Sequence, residues 1–113
     1  MNVKVVIPQL DNQQVMNAMK QVFEQYDVCK RIPGNPDRDE YVRVINEAVN
    51  LLVDKEKEVI TQRYMIDYYR NDYEVYNSHL NRPVSKDTYT KIRNRALSKL
   101  YISFSEMGIL LTD

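Results

Sequence analysis

The sequence predicts an all-α protein, a small helical bundle, on three observations. Only two glycines occur in 113 residues, so few positions suit the tight turns that join strands. No run of alternating apolar and polar residues lasts more than a few positions, as a half-buried strand would require. Apolar residues instead recur at spacings of three and four, the period of helices buried along one face. The 43% hydrophobic content excludes wholesale disorder, and 28% charged residues is ordinary for a soluble chain. A chain of this length fits one folding unit whose core needs no covalent staples.

Taken in order, residues 3–7 (Val3, Lys4, Val5, Val6, Ile7) favour extended backbone and end at Pro8, which suits either an arm or a minor strand. Leu10 and Asp11 offer a staple and a cap for a first helix reaching about Lys30. Its stripe is Val15, Met19, Val22, Tyr26 and Cys29, with Met16 and Phe23 beside it. That stripe has two uses: packing onto the rest of the chain, or a homodimer contact through helix 11–30. Two prolines and a glycine in Ile32-Pro33-Gly34-Asn35-Pro36-Asp37 then break the chain. The break divides it into an N-terminal arm and helix (1–32), a linker (33–37) and a helical domain (38–113).

A second helix is expected from about Asp37 to Val53, burying Tyr41, Val44, Ile45, Ala48, Leu51 and Leu52. Asp54 is expected to cap a third that turns Val59, Ile60, Tyr64 and Met65 inward. The charges of Asp54-Lys55-Glu56-Lys57-Glu58 look like a solvated face. Asn71-Asp72 begins a short fourth helix with Val75, Tyr76 and Leu80 apolar, and Asn81-Arg82-Pro83 forms a turn. Ser85 then caps a last helix running to about Phe104. Tyr89, Ile92, Ala96, Leu100 and Phe104 make its buried stripe, and Asp87, Lys91, Asn94 and Ser98 fall opposite, flanked by Thr88, Thr90 and Arg95.

Charge concentrates on this last helix. The chain holds 16 basic and 16 acidic residues, yet from Arg82 to Leu100 six cations face one anion, Asp87. Such a patch on a neutral protein is a local electrostatic footprint, although charge-rich helix faces are also commonly just solvated. Cations mixed with small hydrogen-bonding side chains are what a helix in a DNA major groove presents. A short helix, a turn and a longer basic helix over 72–104 together make a helix-turn-helix pattern. Five tyrosines between Tyr64 and Tyr76 could stack on bases, but burial of rings with hydroxyls near water explains them better.

Catalysis finds little support. His79 and Cys29 are single and far apart, no Cys/His pair has metal-ligand spacing, and no Gly-rich loop could cradle phosphate. The chain is expected to be no enzyme and to need no cofactor and no metal. A lone cysteine fits a reducing, cytoplasmic setting, and the absence of a long apolar run or signal-like start argues against a membrane.

The wider segment carries a family resemblance. Leu52-Val53-Asp54-Lys55-Glu56-Lys57-Glu58-Val59-Ile60-Thr61-Gln62-Arg63-Tyr64, then Val84-Ser85-Lys86, then Ile92-Arg93-Asn94-Arg95-Ala96-Leu97-Ser98-Lys99-Leu100 resembles the promoter-reading C-terminal region of bacterial sigma factors, region 4. Within that group it looks most like the phage ArpU-type transcriptional regulators, whose fourth helix is similar to Asp72-Tyr73-Glu74-Val75-Tyr76-Asn77. The likeness covers roughly residues 50–108 and fits the first 35 poorly. It implies a helix-turn-helix that binds double-stranded DNA, regulates phage or prophage late genes and contacts RNA polymerase. Lys86, Asp87, Thr88, Thr90 and Lys91 would meet bases or phosphates, while Arg82, Asn94 and Arg95 would reach backbone. With the capping Ser85 these form the candidate DNA-binding set. Arg93 lies inside the apolar arc and is expected to pair with an acid from the third helix. Asp87 can accept from cytosine N4, which favours sequence reading.

Two features depart from the family pattern. The turn Leu80-Asn81-Arg82-Pro83-Val84-Ser85 is longer than the usual Leu-Gly-x-Ser turn and lacks its glycine, so a shifted docking angle is expected. No promoter-melting region is visible, which leaves an activator or a partial sigma. Two alternatives stand beside this: a phage packaging (small terminase-like) DNA binder, or a module that binds RNA polymerase or another partner without gripping DNA.

Overall fold

The computed structural model describes residues 10–110, so the extended run at 3–7 lies outside the described residues. Five helices and no strand occur within them: α1 (Asn12–Arg31), α2 (Pro36–Asn50), α3 (Asp54–Ile60), α4 (Asp72–Glu74) and α5 (Lys86–Met107). A wider helical turn prolongs α3 through Thr61–Met65 and another prolongs α4 through Val75–His79. The protein is an all-α small bundle.

Local chemistry fixes most helix ends. The Asp11 carboxylate accepts from the Gln13 amide at 2.9 Å, and the Asn35 side chain accepts from Asp37 and Arg38 with Pro36 at the first helical position. The third start differs from expectation. Asp54 is its first residue rather than its cap, and Val53 holds the cap position without a side-chain bond. Helix α2 also stops three residues early, at Asn50. Leu51 is then 88% exposed while Leu52 folds back into the core, and Val49 takes the buried place expected of Leu51.

The core forms where α1 meets α2 and α5. Met19, Val22 and Phe23 of α1 are buried with Ile45, Val49, Ile60, Leu97, Leu100 and Phe104. Phe23 stacks on Tyr64 at 4.9 Å between ring centroids, nearly parallel, joining α1 to the end of the third helix. The stripe of α1 is therefore covered within the chain, which is the packing use and not the homodimer use. The turn at 33–37 joins α1 and α2, which share this one core. A second, smaller cluster of Val59, Val75 and Tyr89, edged by Tyr76, Leu80, Val84 and Ile92, seats the first turns of α5 on α3 and α4. Among the described residues no helix is long and apolar enough to cross a membrane.

Candidate nucleic-acid interface

Helix α5 begins at Ser85, whose hydroxyl oxygen accepts from the Thr88 amide at 3.2 Å and whose O–H meets Thr88 Oγ1 at 3.0 Å. It ends at Gly108, where a φ of 72° places the residue in the left-handed region that a C-terminal cap favours. Between these ends Tyr89, Ala96, Leu97, Leu100 and Phe104 are buried. Leu97 widens the expected stripe, because α1 and α3 cover the helix from two sides rather than one. Arg82, Ser85, Lys86, Asp87, Thr88, Lys91 and Arg95 are exposed, and Thr90 and Asn94 are half-buried at the margin. The structure thus brings eight of the nine sequence-derived candidates onto α5 or its cap, with Arg82 in the preceding turn.

The six cations of this segment divide into two groups. Arg93 is structural, but its partner lies on α4 and not on the third helix. Its Nη1 meets Asp72 Oδ2 at 2.7 Å, while Arg63 Nε meets Oδ1 of the same carboxylate at 3.0 Å. The Tyr89 hydroxyl donates to Asp72 Oδ1 at 2.6 Å. One carboxylate therefore ties the end of the third helix, the start of α4 and the first turns of α5 together. Arg93 also donates to Asn94 Oδ1 at 3.0 Å, so that amide oxygen is partly spoken for.

The third-helix acids that Arg93 was expected to find are already engaged. Glu56 is 2% exposed and accepts from Lys99 through both oxygens, at 2.9 and 3.1 Å. Glu58 accepts from the Asn81 amide at 2.9 Å, which fixes the turn before α5. The run 54–58 is thus not merely solvated charge, since two of its acids hold α5 and the turn before it in place. Tertiary pairing of this kind leaves no mark in helical periodicity, so the sequence offered no signal for Glu56 or Asp72.

Arg82, Lys86, Lys91 and Arg95 remain, and among the described residues none of them pairs with an acid. Lys91 and Arg95 therefore stand on the outer side of a helix whose inner side is fixed, with Lys86 at its first residue and Arg82 in the turn before it. Burial, and then the bond to Asp72, pushes the Tyr89 phenol well above its ordinary ionisation range. It stays a donor at neutral pH, which keeps the Asp72 node intact. Among the described residues no group of three or more His, Cys, Asp or Glu is placed to hold a metal ion.

The tyrosines divide similarly. Tyr64 is buried against Phe23, Tyr76 leans on Tyr89, and the Tyr68 hydroxyl donates to the Lys20 carbonyl, whereas Tyr69 is 77% exposed. Comparison with known proteins adds no relative: no protein-family model, no curated protein and no solved structure matches this chain.

Proposed function

We propose that this protein is a sequence-specific regulator of transcription that binds double-stranded DNA, of the sigma-region-4-like, ArpU type. Helices α4 and α5 serve as its helix-turn-helix, and phage or prophage late genes are its targets. The observation that carries this reading is the outer face of α5. Its Lys91 and Arg95, unpaired among the described residues, stand among Asp87, Thr88, Thr90 and Asn94, while Tyr89, Ala96, Leu97, Leu100 and Phe104 of the same helix are buried in the core. Arg82 and Lys86 extend the same charge to the helix start.

In this mechanism α5 lies in the major groove. Its cations neutralise phosphates and set register, and Asp87, Thr88, Thr90 and Asn94 meet base edges. The Asp72 node and the Glu56–Lys99 pair hold α5 at a fixed angle to the supporting helices, so little ordering is left to the moment of binding. Contact with RNA polymerase would convert DNA binding into regulation.

Lys91 tests the face. Lys91→Ala should weaken binding to a duplex selected by the protein from a randomised pool by about five-fold, the worth of one phosphate contact near 0.15 M salt. Lys91→Glu should abolish binding while the helical circular dichroism stays unchanged. Full binding by the Glu variant would reject the assigned face.

A second reading is favoured by one observation. A groove of about 610 Å³ between α3, the 80–84 turn and α5 is lined by Val59, Leu80, Pro83, Val84 and Ile92. A module that binds RNA polymerase or another protein without gripping DNA would use such a groove, and its function would be indifferent to Lys91→Glu.

A further inference from the structure

The molecule has a second cationic surface that the helix-turn-helix reading does not use. It is a cleft of about 430 Å³ between α1 and the stretch joining the third helix to α4, bounded by Lys20, Arg63, Tyr68, Tyr69, Arg70 and Asn71. Acids and bases are equal in number over the whole chain, yet Lys20, Arg63 and Arg70 line this cleft without a carboxylate among the lining residues, Arg63 alone being paired, with Asp72 behind it. Its two arginines are held in place. Arg63 bonds Asp72 and lies over the Tyr64 ring, and Arg70 Nη1 bonds the carbonyl and the side-chain oxygen of Gln62. Lys20 is exposed and makes no ion pair among the described residues, and the exposed Tyr69 ring stands on edge against Tyr68.

Arg63, one wall of this cleft, is tied to α5 through Asp72. Asn94 on α5 bonds Arg93, Arg93 bonds Asp72, and Asp72 bonds Arg63, which forms one wall of the cleft. These bonds hold the cleft wall at a fixed position relative to α5. The long dimension of the protein is 48 Å, which matches about 14 base pairs at about 3.4 Å each. A single helix in one groove uses only part of that length.

We infer that the Lys20–Arg70–Tyr69 cleft is a second contact to the phosphodiester backbone of the same duplex, outside the base pairs that α5 reads. The inference rests on the DNA-binding reading above. A phosphate chain is the occupant the chemistry favours, because the lining offers ammonium, guanidinium, phenol and amide donors, and the adjoining Asp72 carboxylate is already paired with Arg63 and Arg93. Tyr69 adds a hydroxyl that can donate to a phosphate oxygen and a ring that can lie against the sugar. The contact carries no base reading, so it lengthens the footprint and raises affinity without narrowing sequence choice.

The test compares two duplexes: the core that the protein selects from a randomised pool, and the same core extended by about ten base pairs, one helical turn, on each side. The wild-type protein should bind the extended duplex more tightly, with a steeper loss in salt. Lys20→Gln, an exposed change that leaves the core untouched, should weaken the extended complex about five-fold and flatten its salt slope by about 0.9, while binding to the core duplex stays as it was. Lys55→Gln, which removes equal charge beside a different groove, should spare both. Equal binding of the two duplexes, or an equal effect of Lys20→Gln on both, would overturn the second contact and leave the α5 reading standing. Failure of the wild-type protein to bind any duplex would overturn both.

Discussion

Asp72 shows how much positioning one side chain can supply. Its carboxylate receives Arg63 from the end of the third helix, and Arg93 and the Tyr89 hydroxyl from α5. Asp72→Ala would leave two largely buried guanidinium groups without their counter-charge, at a cost of about 2 kcal/mol given that Asp72 is itself partly exposed. Urea unfolding should show that loss as a lower midpoint with an unchanged slope. The same variant should weaken DNA binding beyond the loss of stability, because α5 is no longer held to α4. The tyrosines give a pH test. Burial, with a smaller effect from the neighbouring Cys29, pushes the Tyr41 phenol up to about 12, and burial also raises Tyr64 and Tyr89. Unfolded tyrosines ionise near pH ~10. Between those values the folded state binds more protons than the unfolded one, so stability is full below about pH 10 and falls as pH rises toward about 12. Phenolate absorbance should therefore appear in two phases in the folded protein and in one after unfolding.

At the scale of the helix, α5 is a rigid rod with unequal sides. Five buried residues fix its inner face, and the Ser85 cap satisfies an amide that would otherwise be unpaired at its first turn. Ser85→Ala should cost about 1 kcal/mol and loosen that turn first, which amide exchange at Thr88 would report. How legible the elements were followed how local their causes are. The caps at Asp11 and Ser85 are readable because the capping oxygen sits two or three residues from the amide it serves. Leu51 was misplaced because α2 ends without a capping signal, and only packing decides that Leu52 and not Leu51 returns to the core. Glu56 reads as solvated from the sequence because its partner Lys99 lies 43 residues away. The charge of the recognition segment was legible in total, and its division into structural and free cations was not. That division depends on which helices touch.

For the whole molecule, the joining of α1 to α2 and α5 in one core makes the fold and the candidate interface a single mechanical unit. The N-terminal helix supports α5 directly, so the 33–37 turn works as a corner and not as a flexible tether. Four free cations on α5 and its turn, with Lys20 beyond them, describe a footprint that is local and strongly salt-dependent. The one measurement that tests this most directly is a titration of the protein against duplex DNA from upstream of its neighbouring genes, with a random duplex alongside, at two salt concentrations. The account predicts a clear preference for one fragment, a loss of affinity with log salt at a slope of about −4 to −5, and no binding by Lys91→Glu. Equal affinity for cognate and random DNA, unaltered by Lys91→Glu, would contradict it and would make the basic helix a surface for a protein partner instead.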